Sequence, residues 1–222
     1  MQNLTAASRE LFRRSPDEVF ESLDSLYQRC VADKERSQDR WHAPQEIKPK
    51  PIEGRLDLEL GGDGPYRLTD WSFSQLCKFS GVSKDTLNKL SPETAGQALL
   101  ETFPAGGKPL QVLSFDRSIR SIHGAAYTRL NNLDLLNIVK EFATDFQPPQ
   151  KSKFNGGTGL YCGEQDMFVF LIDPLGWADI NGEAFAPGFF LWNSEVGRRS
   201  VGIQTFWFQA VCANHVRRFT NC

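Results

Sequence analysis

The sequence predicts an α+β fold: a largely antiparallel sheet with a short helical block of helix-turn-helix type and an N-terminal amphipathic helix. Three observations carry this expectation. Apolar residues spaced by three and four, and apolar residues spaced by two, occupy separate stretches instead of alternating unit by unit, the pattern of segregated helices and strands. The period-two stretches after position 110 are dense in Phe, Trp, Val and Ile, residues that fit a pleated surface buried on at least one face. A chain of 222 residues, 40% hydrophobic and 23% charged, can bury one core with a small annex, which excludes disorder, collagen and a coiled coil as descriptions of the whole.

The elements follow in order. Ser15-Pro16-Asp17-Glu18 offers a capping serine, a proline at the first helical position and a glutamate that closes a capping box, so a helix is predicted from 16 to 32. Val19, Phe20, Leu23, Leu26, Tyr27, Cys30 and Val31 fall on one face of it, and the charged residues 33–40 end it. Prolines at 44, 49 and 51 exclude helix and central strand. They predict a linker over 41–54, which makes 1–40 a helical annex to an α+β domain over 55–222. Leu56, Leu58 and Leu60, a Gly-Gly-Asp-Gly-Pro turn, then Tyr66 and Leu68 predict a hairpin with one wet face. Three short helices fill 72–102, divided at Gly81 and at Ser91-Pro92. Past the loop 104–109 come the strands LQVLSF, SIRSIH and AYTRL, then a helix over 132–146. A Pro/Lys/Gly loop leads to a second run of strands: TGLYC, MFVFLI, a short one near 177–180, FFLWN and SVGIQTFWF.

Charge narrows the function classes. Lys plus Arg number 25 against 27 for Asp plus Glu, a net charge of -2, so no global field draws the chain to nucleic acid or anionic lipid, and any such binding needs a local patch. No apolar run reaches the length of about 18 residues that a spanning helix needs, and the opening MQNLTAASRELFRR lacks the layout of a signal peptide. We therefore expect a cytoplasmic protein without a membrane. Cys30, Cys77, Cys162, Cys212 and Cys222 are scattered and form no CxxC pair, which encodes neither a disulfide framework nor a zinc ribbon.

Two basic features stand out. The window 73–90, FSQLCKFSGVSKDTLNKL, places Cys77, Gly81, Val82, Leu87 and Leu90 as a helix-turn-helix unit places its small, turn and locking residues. With a second helix beginning after a Ser83 cap, Lys84, Asn88 and Lys89 face outward and offer donors to phosphates and base edges. Asp85, and Ser80 at a usually apolar position, fit an αα-hairpin packed on the sheet instead. The second feature is Arg198-Arg199 after the Asn193-Ser194-Glu195 turn, able either to bind phosphate through forked donors or to be neutralised by Glu195. Lys151 and Lys153 extend a basic rim, but GGTG lacks phosphate-loop spacing and excludes a triphosphate site. Trp192, Phe206, Trp207 and Phe208 either stack bases or fill the core. For catalysis, His42, His123 and His215 are far apart, and Cys212, His215, Cys162 and His123 are the residual thiol or metal set. We assign no cofactor and no metal from the sequence.

RLTDWSFSQLCKFSGVSKDTLNKL, SIRSIHGAAYTRLNNLDLL, TGLYCGEQDMFVFLIDP and above all GFFLWNSEVGRRSVGIQTFWFQAVCANH resemble the phage/plasmid-like proteins of the domain of unknown function 932 family, over residues 55–216. The resemblance implies a bacterial, plasmid or phage setting and, by association, nucleic-acid metabolism; it brings no catalytic residues. Members of that family run on past the Cys-x-Asn segment into a further helical region, so the resemblance implies a truncated form whose sheet lacks part of its cover. The expectation is a non-enzymatic protein associated with single- or double-stranded DNA through Lys84, Asn88 and Lys89 or through Arg198 and Arg199. The alternative is an interaction or structural module that uses the helix carrying Val19 to Val31 against a protein partner or a second copy. A metal-dependent hydrolase is the third class.

Overall fold

The computed structural model describes residues 18–52, 54–104, 106–149, 158–209 and 219–220. The fold is α+β, with helices and two six-stranded, mostly antiparallel sheets. The chain divides into two compact units, one of residues 33–129 and one of residues 1–32 with 130–222. This division cuts the sequence elsewhere than the boundaries predicted at 40 and 55.

In the unit 33–129, the sheet order is β1 (Ser37–His42), β5 (Leu110–Phe115), β6 (Ser118–His123), β4 (Asp63–Leu68), β3 (Arg55–Leu60), β2 (Ile47–Ile52). All neighbours are antiparallel except β4 and β6. The predicted linker is thus replaced by strands. Pro49 and Pro51 are accommodated because β2 is the edge, where an outward position needs no N–H. The hairpin β3–β4 forms as expected around Gly61-Gly62, but its wet face is partly dry: Asp57 is buried and receives the Arg55 guanidinium at 2.9 Å.

Three helices interrupt the strands: α2 (Asp70–Ser80), α3 (Lys84–Leu87) and α4 (Pro92–Thr102). Each begins on a side chain that accepts an orphan N–H: Thr69 from Ser72, Ser83 from Thr86, Ser91 from Thr94. Gly81 ends α2 with φ 65°, and its N–H returns to the Cys77 and Lys78 carbonyls. Two side chains fasten α2 to β6, the Ser72 hydroxyl donating to the Ile119 carbonyl at 2.7 Å and the Gln75 carbonyl accepting from the Ile122 N–H at 2.9 Å. Leu76, Cys77, Leu87 and Leu99 meet Leu58, Val112, Ile119 and Ile122 in one apolar cluster. The stretch AYTRL, expected as a strand, is a turn and irregular chain.

In the other unit the sheet order is β12 (Phe219–Thr220), β11 (Gly202–Gln209), β10 (Glu183–Asn193), β8 (Met167–Ile172), β7 (Leu160–Cys162), with β9 (Ala178–Ile180) also on β10. Helix α1 (Leu23–Arg36) starts seven residues later than predicted. Val19 bridges Tyr161 and the Phe20 N–H donates to the Leu160 carbonyl at 2.9 Å, so these two residues continue the β7 edge instead of opening the helix. The proposed cap at Ser15 to Asp17 lies outside the described residues. Leu26 and Cys30 of α1, with Leu136 and Val139 of α5 (Asn132–Phe142), bury one face of the sheet through Leu160, Val169 and Leu171.

The face carrying Tyr161, Phe168, Phe170, Phe190, Phe206 and Phe208 is aromatic. Phe170 and Phe190 stack with centroids 5.0 Å apart, and Trp192 follows at 5.5 Å from Phe190. Gly188 permits this: a Cβ there would come within 2.7 Å of both the Leu171 carbonyl and the Phe206 ring. Phe206 and Phe208 are buried and Trp192 is half-buried, so these aromatics form core.

Candidate functional site

The turn that follows β10 carries one of the two basic features singled out in the sequence, Arg198-Arg199 with Asn193, Ser194 and Glu195. Asn193 is buried; its amide donates to the Leu130 carbonyl at 2.8 Å and to the Asn132 side-chain carbonyl at 2.9 Å. Glu195 accepts from the Asn132 N–H at 2.8 Å. It therefore caps α5 from a distance, in the place of Asn131, whose side chain makes no cap. The Asn132 amide in turn reaches the Cys162 sulfur at 3.6 Å. Ser194 is buried and donates to the Gln165 carbonyl at 2.6 Å while accepting from the Arg198 N–H at 2.9 Å. Gly197, at φ 72°, closes the turn.

Both arginines point back at the β7–β8 connection. The Arg198 guanidinium hydrogen-bonds the Gln165 side-chain carbonyl. Arg199 meets Asp166 at 3.0 Å and lies over the Phe168 ring, 5.5 Å from its centroid. The Asp166 side chain is 1% exposed and the Arg199 side chain 30%, so the carboxylate of this pair is held away from water while its cation reaches the surface. These side chains tie two turns and a helix start together.

The second set sits in the other unit. Lys84 opens α3 and forms an ion pair with Asp70. Helix α3 is one turn long, and Asn88 is its C-cap, not a member of an outward face extending to 90. The reason is the next helix: Ser91 must be extended, at ψ 154°, to cap α4. Asn88 and Lys89 are exposed beyond the end of α3. The helix-turn-helix reading thus keeps its turn at Gly81 and its cap at Ser83, while the second helix is too short to present Lys84, Asn88 and Lys89 along one face. Ser80 is buried at the end of α2, and its hydroxyl has no hydrogen-bond partner among the described residues.

The remaining chemistry is thin. Burial pushes the Cys77 thiol up, away from thiolate reactivity. Burial also lowers the His42 pKa, with Glu46 3.7 Å away acting in the opposite sense. His123 stacks on Tyr127 at 3.7 Å. Cys30 and Cys162 are buried, and Cys212, His215, Lys151 and Lys153 lie outside the described residues. Among the described residues, no group of three or more His, Cys, Asp or Glu side chains is arranged to hold a metal. A cleft of about 640 Å³ lies between the start of α1 and the end of α5, crossed by the exposed Lys140–Asp24 pair at 3.1 Å. Its described lining includes neither histidine nor cysteine. No helix among the described residues is long and apolar enough to cross a membrane.

One feature of the surface has no counterpart in the sequence reading. Leu175, Trp177 and Ile180 are 82%, 42% and 47% exposed within six positions of the β8–β10 connection. Trp177 is anchored edge-on against Phe208, 6.3 Å between centroids. The signal for this patch was available as three large apolar residues in a stretch too short to bury them, between Asp173-Pro174 and Asn181-Gly182. Comparison with known proteins finds no family model, no curated protein and no solved structure that matches this chain.

Proposed function

We propose that this chain is a non-enzymatic interaction module that pairs with a second copy of itself through the Leu175, Trp177 and Ile180 patch. The exposure of these three side chains carries the reading, Ile180 on the hydrogen-bonded β9–β10 hairpin and Leu175 and Trp177 in the chain just before it. Singly exposed apolar side chains are ordinary, whereas several grouped in water mark a protein contact, and these three fall within six consecutive positions. A net charge of -2 opposes self-association only weakly. The predicted partner face Val19 to Val31 is a poorer one, because Val19 and Phe20 join the β7 edge and Leu26 and Cys30 of α1 are spent in the core. Sedimentation velocity over a concentration series tests the reading. The wild-type chain is expected to dimerise, and the Leu175→Ser, Trp177→Ser, Ile180→Ser triple variant to stay monomeric with an unchanged far-UV spectrum. A wild-type chain that is monomeric throughout the series removes the proposal.

A second reading, association with DNA, is supported by the exposure of Asn88 and Lys89 beside a capped helix start. It draws little from Lys84, Arg198 or Arg199, each of which has a protein partner. Titration with single- and double-stranded DNA across a salt series decides it: binding that weakens with salt and is lost in Lys89→Gln supports this reading, and no binding at low ionic strength ends it.

A further inference from the structure

We infer that Asn181 is a site of spontaneous deamidation whose rate is governed by Asp179. Asn181 and Gly182 form the two-residue turn between β9 and β10, with Ile180 paired to Glu183 on either side. Both have positive φ, 55° and 80°, as the tight hairpin turn favoured by Asn-Gly requires. Both are exposed, and nothing stands within 4 Å of where a Gly182 Cβ would be, so no neighbouring group crowds Gly182 on that side of the turn. In the reaction the deprotonated Gly182 nitrogen attacks the Asn181 side-chain amide carbon and expels ammonia. The five-membered succinimide then takes up water at either carbonyl to give aspartate or isoaspartate. No oxidant, metal or enzyme is needed, and the net change is amide plus water to carboxylate plus ammonium.

The attacking N–H is not idle in the folded chain. It donates to the Asp179 carboxylate at 2.9 Å. A hydrogen bond from the N–H to an anion stabilises the protonated amide and opposes its loss, and the bond also fixes the turn in a conformation from which the nitrogen must rotate to attack. Asp179 thus acts as a guard on the turn, restraining a reaction that the sequence and exposure otherwise favour. The product is consequential for this hairpin: isoaspartate lengthens the backbone inside a two-residue turn, and either product adds a negative charge beside Asp179. The chemistry does not depend on whether the hairpin meets a partner.

The full-length protein, incubated in mildly alkaline buffer and followed by peptide mass spectrometry with isoaspartate detection, tests the inference. Asp179→Ala is expected to deamidate at Asn181 about fivefold faster than wild type, the factor that one net hydrogen bond sets on a rate. Asp179→Asn keeps a side-chain carbonyl that can accept the same N–H and is expected to stay within about twofold of wild type. Asn181→Gln abolishes the signal, and in denaturant wild type and Asp179→Ala converge. Equal folded-state rates for wild type and Asp179→Ala overturn the proposal, as does Asp179→Asn matching Asp179→Ala, or no conversion at Asn181 in either chain.

Discussion

Lys84 meets Asp70 at the surface, where 82% of the Asp70 side chain is exposed, whereas Arg199 meets an Asp166 side chain only 1% exposed. The two pairs look alike in sequence as cations near polar turns. Their physics differs. A pair bathed in water is worth at most about 1 kcal/mol, because each ion is well solvated alone. A carboxylate taken out of water depends on its cation, and removing that partner costs about 3–5 kcal/mol. The comparison teaches that a candidate binding cation is judged by the burial of the acid beside it: Arg199 is fixed by the fold, and Lys84 is merely engaged.

The largest expected effect tests the buried side of this contrast. Arg199→Met should lower stability by about 3 kcal/mol in urea denaturation, and a loss under about 1 kcal/mol would place the Asp166 pair with the surface pairs. Next, Asn193→Ala strips the buried contacts to Leu130 and Asn132, and should cost about 2 kcal/mol with faster amide exchange in the first turn of α5. Ser80→Ala reverses the sign. Replacing a buried, unbonded hydroxyl with a methyl group should raise stability by about 0.5–1 kcal/mol, read as a higher midpoint at unchanged denaturant slope. The smallest effect belongs to Lys84→Met, expected within about 0.5 kcal/mol of wild type; a loss as large as that of Arg199→Met would erase the distinction between the two turns.

Local signals carried well into the structure wherever the determining contacts lie within a few residues. The caps at Ser83 and Ser91, the stop at Gly81, and the hairpins at 61–62 and 116–117 are all where turn and cap chemistry puts them. The start of α1 was not legible, because Val19 and Phe20 match a helical face and are taken instead by a free strand edge some 140 positions away in the chain. β2 was hidden by its prolines, which forbid a central strand and are silent about an edge. Sequence leaves open whether Glu195 neutralises an arginine, and it gives no sign that the carboxylate also serves a helix start 63 residues upstream. The short strand near 177–180 is legible in sequence, but local pattern does not say that Trp177 and Ile180, with Leu175 before them, stay in water.

Composition and local pattern by themselves determined the fold class, the order of most elements, the helix stop at Gly81 and the near balance of charge. Tertiary structure alone decided which cations are already neutralised, which aromatics are core and which apolar residues stay in water. The physical reason is range: caps and turns are settled by backbone groups three or four residues apart. Desolvation and pairing depend on groups such as Arg199 and Asp166 that only the folded sheet brings together.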